Sequence, residues 1–444
     1  MERRISFTGM QKLVYRLLPG LLAVVVLMAM VTTSLYGAGQ PCSASKPKLK
    51  PGEALVNPLI FGNNLMWYRD DGFGIWDPEK KEPVAEVVNL ARSAGITLMR
   101  WPGGCGLHHY KWKLGIGPQR TPIVKPIQFP WRERIENLFG LDEFMKVSKA
   151  VGAKAVIGIS YFEDTPQSAA ELVEYCNGSV ETEWGKKRAE NGHPEPYNIR
   201  LWEYGNETYH GDNGKTISFI DPAEYSKNFL LVSAAMKKVD PSIKIGVVTE
   251  GGIMERKWNQ VIVRDAAPAA DFLIVHTYPV YAYTDKPQHD PKRSFKATLA
   301  AALNEQDRYQ EFLSATKNKL PLAITEYNTS FVYNDGLPAW RLSLGESLLC
   351  ADLIAMMMRP ENNVNMANYW QFANEYWGQI SNEKHFAKGK LDDGPRFKGQ
   401  IIKTPYWKRP AQYVFEMYKE HFGPIWFPVQ VSCPSYNSPP VLGV

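Results

Sequence analysis

The sequence predicts a (β/α)8 barrel, the α/β fold (TIM barrel) in which eight parallel strands alternate with helices and close into a cylinder. Eight short runs of apolar and β-branched residues recur along the chain, and segments with helical spacing lie between them. The runs are residues 58–62, 96–101, 153–159, 199–204, 243–248, 272–277, 322–326 and 365–370. Eight strands are the number that closes such a barrel. A doubly wound open sheet shows the same alternation, so it stays open as the alternative.

The segments between the strands support this fold. The clearest helical patterns cover residues 84–94, 141–151, 222–239 and 344–358. A long loop rich in aromatic residues, Pro and Gly spans residues 103–134 after the second predicted strand. Long loops at this end of a barrel usually build a substrate site. No Gly-x-Gly-x-x-Gly motif follows the first predicted strand, so the sequence gives no support for a dinucleotide cofactor.

Composition and charge limit the class of partner. The 444 residues are 44% hydrophobic and 12% aromatic, as in a folded globular protein, and the formal net charge is +5. Residues 1–50 contain seven basic residues and one acidic residue, so they carry +6, and the remaining 394 residues carry −1. This nearly neutral body lacks the basic footprint of a nucleic-acid-binding protein.

The N-terminal segment has the layout of a secretory leader, because basic residues up to Arg16 precede an apolar run over residues 17–31. We expect a signal peptide or uncleaved anchor over residues 1–40, a linker over 41–56, the barrel over 57–423, and a partial β-sandwich strand or tail over 424–444. The protein is then exported to the periplasm or the extracellular space. An uncleaved anchor is the one membrane contact expected, and the oligomeric state stays open.

The cysteines do not predict a metal centre or a disulfide framework. They are odd in number and show no metal-ligand spacing: Cys42, Cys105, Cys176, Cys350 and Cys433. The sequence therefore predicts no metal and no cofactor.

Polar residues that could carry chemistry gather at the carboxyl ends of the predicted strands, where barrel active sites lie. They are Arg100, Asn206, Glu207, His276, Tyr278, Glu326, Trp370 and Gln371. Glu207 and Glu326 end the fourth and seventh predicted strands, which face each other across the mouth of a barrel. Glycoside hydrolysis requires two such carboxyl groups, one as proton donor and the other as nucleophile or base.

Several motifs in order resemble one group of retaining glycosidases. The segment Trp202-Glu-Tyr-Gly-Asn-Glu207 resembles the acid/base motif of the large clan built on (β/α)8 barrels. The wider context, from about residue 57 to about 423, resembles the α-L-arabinofuranosidases of glycoside hydrolase family 51. The matching segments are Arg100-Trp-Pro-Gly-Gly104, Gly115-Ile-Gly-Pro118, Asn137-Leu-Phe-Gly-Leu-Asp-Glu-Phe144, Glu174-Tyr-Cys-Asn-Gly178, Asn191-Gly-His-Pro-Glu-Pro196 and Ile324-Thr-Glu-Tyr-Asn328.

The resemblance implies a role for each candidate residue. Glu207 would be the general acid/base, with a pKa raised by apolar surroundings, and Glu326 the nucleophile, kept ionised by Arg100 and hydrogen bonds. Asn206 would bind the sugar 2-hydroxyl. The remaining candidates are His276 and Tyr278 as positioning residues, Trp370 and Gln371 as pocket walls, and Trp67, Trp101 and Trp112 as either sugar-stacking or core residues.

The sequence departs from this family after the first predicted strand. Family members commonly carry an acidic residue there that meets the sugar, whereas this chain has Asn63 and Asn64 within a segment without any acid. The C-terminal chain is also short for the β-sandwich that the family packs beside its barrel, so a rudimentary or truncated C-terminal β-element is expected.

The function predicted on these grounds is that of an exported, retaining, exo-acting α-L-arabinofuranosidase that acts on polysaccharides or oligosaccharides. Its two carboxyl groups should lie about 5–5.5 Å apart. The alternatives are a relative of other specificity, such as a β-xylosidase, glucuronidase or endoglucanase, or an inactive carbohydrate-binding barrel.

Overall fold

The computed structural model describes most of the predicted barrel. The described residues are 49–124, 134–212, 217–251, 254–279, 291–329, 343–374, 377–381, 406–429, 432 and 434. The expected leader over residues 1–40 and nearly all of the expected tail beyond residue 429 lie outside them. Within the described part of the chain, no helix is both long and apolar enough to cross a membrane.

Eight parallel strands form a closed barrel in chain order, which confirms the predicted fold class. We number them β1 to β8: Gly62–Asn64, Leu98–Trp101, Lys154–Ile159, Leu201–Tyr204, Lys244–Val248, Phe272–Thr277, Leu322–Tyr327 and Val364–Tyr369. β8 pairs with β1 through Asn368 beside Gly62 and Tyr369 beside Asn63, and this pairing closes the cylinder. The strands are almost continuously buried, as expected of parallel strands covered by helices.

The first strand begins later than the sequence predicted. Residues Pro58–Ile60 form a turn of 3-10 helix, with the Asn57 side chain accepting a hydrogen bond from the backbone N–H of Leu59. Proline is favoured at the first position of a helix, because its fixed φ suits the helix and its missing N–H would have no helical partner. The predicted strand over residues 58–62 was therefore wrong in its bounds, and β1 starts at Gly62.

Nine α-helices are present in the described residues, and they surround the barrel. They are α1 Ala85–Ser93, α2 Leu141–Val151, α3 Pro166–Asn177, α4 Glu183–Glu190, α5 Pro222–Val239, α6 Lys257–Asp265, α7 Pro291–Ala315, α8 Leu344–Met357 and α9 Pro410–His421. Hydroxyl side chains cap three of the N-termini, since Thr165, Thr182 and Ser343 each accept a hydrogen bond from a backbone N–H in the first turn. These caps fix where α3, α4 and α8 begin.

A short antiparallel pair lies outside the barrel. Ala54–Leu55 pairs with Ile425–Trp426, so residues from the expected linker and the expected tail lie side by side. Ile425–Trp426 is the one strand of the C-terminal β-element that falls within the described residues. Three further two-residue pairs join Trp76–Asp77 to Glu82–Pro83, Ile123–Val124 to Arg134–Ile135, and Ile380–Ser381 to Trp407–Lys408.

The three tryptophans considered for sugar stacking belong to the core. Trp67, Trp101 and Trp112 are each at most 2% exposed. The Nε1–H of Trp67 donates to the Gly106 carbonyl at 2.8 Å, and the Trp101 ring stacks on Phe144 with centroids 5.4 Å apart. These rings fix the long loop after β2 against the barrel and have no exposed face to offer a sugar.

Tyr225 on α5 ties the ends of two adjacent strands together. Its hydroxyl donates to the Tyr204 carbonyl at 2.6 Å and accepts from the Val248 backbone N–H at 3.0 Å. Tyr204 is the last residue of β4, directly before the segment that carries Asn206 and Glu207. A single buried hydroxyl therefore fixes the strand end from which the candidate acid/base projects.

Replacing this hydroxyl tests the constraint. We expect Tyr225→Phe to lower the free energy of unfolding by about 1–3 kcal/mol, because it leaves a buried carbonyl and a buried N–H without their partner. Denaturant unfolding measures the change. The matched control is Tyr413→Phe at a half-exposed tyrosine, which should change stability by no more than about 0.5 kcal/mol. Equal losses in both variants would contradict this role for Tyr225.

Candidate active site

The two candidate glutamates lie at the carboxyl end of the barrel, one within a strand and one in a turn. Glu326 is in β7, next to its last residue. Glu207 follows β4 in a turn and has φ +43° and ψ 38°, a left-handed conformation that is uncommon for residues other than glycine. The Gly205 backbone before it also has positive φ, and a Cβ there would collide with the Thr208 hydroxyl. The turn therefore holds Glu207 in a constrained conformation.

His276 lies between the two carboxyl groups. Its Nδ1 is 3.0 Å from Glu207 Oε1 and 3.6 Å from Glu326 Oε2. These three side chains each contribute an atom to a group in which all atoms lie within 4.8 Å of one another. The other ring nitrogen, Nε2, is hydrogen-bonded to the Thr325 hydroxyl at 3.1 Å, which fixes the orientation of the ring.

A fully buried arginine joins four strands or strand ends beneath the glutamates. The Arg100 guanidinium donates to Glu326 Oε1 at 2.9 Å, to Asn206 Oδ1 at 2.6 Å and to Asn64 Oδ1 at 3.0 Å. Its Nε also contacts the Glu203 carboxylate. Asn64 in turn donates to the Thr325 carbonyl at 2.9 Å. The side chains of β1, β2, β4 and β7 thus meet around one cation.

The nucleophile candidate has two further polar neighbours. The Tyr278 hydroxyl donates to Glu326 Oε2 at 2.5 Å. The Tyr278 ring lies 6.2 Å from the ring of Trp377, which follows β8. Hydrogen bonds from Arg100 and Tyr278 therefore occupy both Glu326 oxygens and fix the carboxylate plane.

The pKa shift of the candidate acid/base Glu207 differs from the one expected from the sequence. Burial alone would raise the pKa of Glu207, but the hydrogen bond and positive charge of His276 outweigh it and lower this pKa to about 2. Burial likewise opposes protonation of His276, yet the charges of Glu326 and Glu207 raise its pKa. In the free site, the shared proton therefore resides on His276. The expectation that apolar surroundings raise the pKa of Glu207 was wrong.

In Glu326, unlike in Glu207, burial outweighs the neighbouring positive charges, and the pKa is raised. Burial raises the pKa of Glu326, and the positive charges of His276 and Arg100 offset only part of that rise. The negative charge of Glu207 adds to it. Arg100, His276 and the hydrogen bond from Tyr278 favour the ionised form of Glu326, in the direction that the sequence led us to expect, but they do not outweigh burial. The three groups titrate as a coupled set rather than one by one.

One side chain at the site escaped the sequence analysis as a site residue. The Cys105 Sγ is 3.7 Å from Glu207 Oε2, and the Asn206 amide nitrogen is 3.5 Å from the same sulfur. Cys105 follows directly on the Arg100–Gly104 segment, so its position was the available signal. Spacing between cysteines could not reveal it, because its polar neighbours here are a carboxyl group and an amide group.

Glu203 also escaped notice, although it lies inside the quoted motif. The side chain is 1% exposed, and one of its oxygens contacts Arg100. The other oxygen has no hydrogen-bond partner within the described residues. A strand residue facing the barrel interior cannot be told from an outward-facing one until the strand register is known.

The remaining candidates, Asn63, Trp370 and Gln371, have no described hydrogen bond to either glutamate. Asn63 is fully buried, and its amide donates to Gln379 Oε1 at 2.6 Å. Trp370 packs on Gly104, where a Cβ would collide with the indole ring. The buried Gln371 Oε1 has no partner among the described residues. The structure thus brings together Arg100, Asn206, Glu207, His276, Tyr278 and Glu326, while Asn63 is engaged elsewhere.

The Glu203 carboxylate can be tested through stability. We expect Glu203→Gln to lower the free energy of unfolding by about 2 kcal/mol or more, because buried Arg100 loses one of its two carboxylates. Chemical denaturation measures this. The control Glu190→Gln removes an exposed ion pair with Lys187, in which nitrogen and oxygen are 3.8 Å apart. Its free energy of unfolding should stay within about 0.5 kcal/mol of the wild-type value. A Glu203→Gln protein as stable as wild type would contradict the role of this carboxylate.

Known proteins resemble this chain in sequence and in fold. Residues 91–291 match the family described as the alpha-L-arabinofuranosidase 1 domain. The probable alpha-L-arabinofuranosidase C of Aspergillus niger is 24% identical over 387 residues, which are 82% of this chain and 71% of that protein. The intracellular exo-alpha-(1->5)-L-arabinofuranosidase of Halalkalibacterium halodurans is 25% identical over 374 residues, 80% of this chain and 69% of that protein.

A solved structure extends the likeness to the fold. The GH51 arabinofuranosidase from Xanthomonas axonopodis pv. citri superposes with a TM-score of 0.70 at 21% identity, covering 87% of this chain and 78% of that one. This likeness concerns the fold. Together with the sequence matches, it supports a glycoside hydrolase that is similar to the family 51 α-L-arabinofuranosidases.

Proposed function

We propose that the protein is a retaining, exo-acting α-L-arabinofuranosidase that removes terminal arabinofuranosyl groups from polysaccharides or oligosaccharides. The observation that carries the proposal is the short distance between the two carboxyl groups, since one oxygen of Glu207 lies within 4.8 Å of one oxygen of Glu326. Retaining enzymes hold their carboxyl groups about 5–5.5 Å apart, whereas inverting enzymes need about 6.5–9.5 Å to admit a water molecule. The geometry therefore supports double displacement.

In the first step, Glu326 attacks the anomeric carbon while the glycosidic bond breaks. The leaving oxygen takes a proton from Glu207, and the sugar becomes esterified to Glu326. Arg100 and Tyr278 hold the two Glu326 oxygens, so the attacking carboxylate starts in a fixed orientation. Asn206, held by Arg100, is in position to bind the sugar 2-hydroxyl.

The acid proton is supplied from the His276–Glu207 pair. In the free site the imidazolium carries it, with Nδ1 at 3.0 Å from Glu207 Oε1. Substrate binding displaces water and places the leaving oxygen beside Glu207. As negative charge develops on that oxygen, the proton moves from His276 to Glu207 and on to the leaving group. Glu207 can therefore act as the acid even though the proton rests on His276 in the free site.

In the second step, the roles of the groups reverse. Glu207, now ionised, removes a proton from water, and the resulting hydroxide attacks the anomeric carbon. The bond to Glu326 breaks, and the sugar leaves with its original configuration. His276 takes up the proton from Glu207, which restores the starting state. Burial of Glu326, which raises its pKa, also makes this carboxylate a better nucleophile than an exposed one.

The choice of arabinofuranose follows from the names of the sequence relatives, and one observation favours another sugar. Asn63 stands where family members commonly carry an acidic residue, and its amide is bound to Gln379. A β-xylosidase, glucuronidase or endoglucanase is thus the second candidate. Initial rates on nitrophenyl glycosides of these sugars decide between them. Turnover of any of them would exclude the inactive carbohydrate-binding barrel.

Removing each carboxyl group separates the two roles. With a nitrophenyl arabinofuranoside, Glu326→Ala should lose at least about 10⁴-fold in kcat, and Glu207→Ala about 10²- to 10⁴-fold. Added azide should restore activity to Glu326→Ala and give the glycosyl azide of inverted configuration. In Glu207→Ala, azide attacks the covalent intermediate, so the glycosyl azide should have the retained configuration. NMR of the two products measures these configurations. An inverted sugar product from the wild-type enzyme would exclude the retaining mechanism.

The shared proton predicts the alkaline limb of the pH profile. The raised pKa of His276 means that the pair keeps its proton above the ordinary histidine range, so kcat/KM should fall only as pH rises through a value above about 6.5. In His276→Asn the proton is held by Glu207 alone. A lone carboxyl loses its proton earlier, so the alkaline limb should move to lower pH. An unchanged limb in this variant would contradict proton sharing.

A further inference from the structure

The turn that follows β8 brings a tryptophan to the mouth of the barrel. The centroid of the Trp377 ring lies 6.2 Å from that of the Tyr278 ring, and the two ring planes make an angle of 52°. Tyr278 follows β6 and Trp377 follows β8, and β7 lies between these two strands in the barrel. The Tyr278 hydroxyl binds Glu326 on β7, so the two rings meet beside this carboxylate at the open end of the barrel.

We propose that the Trp377 indole forms one wall of the sugar site and that a neutral sugar at Glu326 stacks its C–H groups on this ring. The proposal rests on the proposed function, because it assumes that the sugar binds at Glu326. It goes further by naming the side chain that recognises the sugar and the part of the sugar that is recognised.

Trp377 differs in exposure from the other tryptophans considered for the site. The three that belong to the core are at most 2% exposed, and Trp370 is 8% exposed. Trp377 is partly exposed, so a ligand can cover part of its ring. An indole is a broad apolar surface, and covering it with the C–H groups of a sugar removes apolar area on both molecules from water.

The backbone of the turn fixes the position of the indole. The N–H of Trp377 donates to Asn374 Oδ1 at 2.8 Å, and the N–H of Gly378 donates to the Asn374 carbonyl at 3.0 Å. A Cβ at Gly378 would collide with that carbonyl, so the turn closes this tightly only with glycine. The buried Arg409 also anchors it, since its guanidinium donates to the Gly378 carbonyl at 2.8 Å. A ring held in this way loses little conformational freedom when a sugar binds.

The polar groups nearest to this turn are already engaged within the protein. Asn63 donates to Gln379 Oε1 at 2.6 Å, and its own Oδ1 accepts from the Asn64 N–H at 3.0 Å. The Gln379 amide nitrogen donates to the Ala411 carbonyl at 3.4 Å. Both amides therefore use their nitrogen and their oxygen to hold the segment that carries Trp377. On this side of the site, recognition of the sugar falls to the apolar ring.

Steady-state kinetics on the nitrophenyl glycoside that the wild type cleaves test the proposal. Trp377→Ala should raise KM about 10-fold, because apolar contact with the bound sugar is lost. Its kcat should stay within about 2-fold, as expected when binding is lost equally in the ground state and the transition state. Trp377→Phe keeps an aromatic face and should raise KM less than Trp377→Ala does. The control Trp407→Ala, at a tryptophan that is 56% exposed, should change neither constant.

Tryptophan fluorescence measures sugar binding without turnover. Titration of the full-length protein with L-arabinose and with D-xylose should change the emission for at least one of the two sugars. The change should be lost in Trp377→Phe and kept in Trp407→Phe. Because the wild type and Trp377→Phe suffice for this comparison, the test stands even if Trp377→Ala does not fold.

The outcomes separate this proposal from the proposed function. Cleavage of an arabinofuranoside with a wild-type KM in Trp377→Ala would overturn the role of the indole alone. So would a lower kcat at unchanged KM, since Trp377 would then act only by positioning Tyr278. A fluorescence change that requires Trp377, in a protein that cleaves no glycoside, would support the role of the indole and overturn the proposed function. A fluorescence change of equal size in wild type and Trp377→Phe, or no change in the wild type, would contradict stacking on this ring.

Discussion

The site depends on one buried cation. An isolated guanidinium in the interior of a barrel would carry a large desolvation cost, so Arg100 is stable only with partners that balance its charge and accept its hydrogen bonds. Those partners come from four different parts of the barrel: Asn64 on β1, Glu203 on β4, Asn206 after β4 and Glu326 on β7. The candidate nucleophile Glu326 is therefore placed by the same interactions that stabilise Arg100 inside the closed barrel.

His276 adds a second level of coupling above that cation. It touches both candidate catalytic carboxyl groups, so neither can gain or lose a proton without changing the other. In the proposed mechanism, the proton shared by Glu207 and His276 serves the leaving group while Glu326 stays ionised to attack.

The sequence predicted what depends on local pattern and missed what depends on tertiary contact. Periodicity located seven of the eight strands and four helices nearly to the residue. The first strand was misplaced because Pro58 starts a 3-10 turn that periodicity does not detect. Strand ends located Arg100, Glu207 and Glu326, because parallel strands bring their carboxyl ends together. The low pKa of Glu207 could not be predicted, since it comes from a histidine 69 residues away. The contacts of Cys105 and Asn63 could not be predicted for the same reason, as their partners lie on other strands or loops.

The charge of the site also bears on which sugars it can accept. Two buried carboxylates, the partly buried Glu207 carboxylate and one buried arginine leave the pocket negative whenever the His276–Glu207 pair has lost its proton. The pocket is still negative by one charge when the pair holds that proton. A uronic acid carries its own carboxylate, which would enter this field with four of the five Arg100 N–H groups already donating to other partners. Like-charge repulsion thus selects against acidic sugars, and among the candidate substrates it favours the neutral arabinofuranosyl and xylosyl groups.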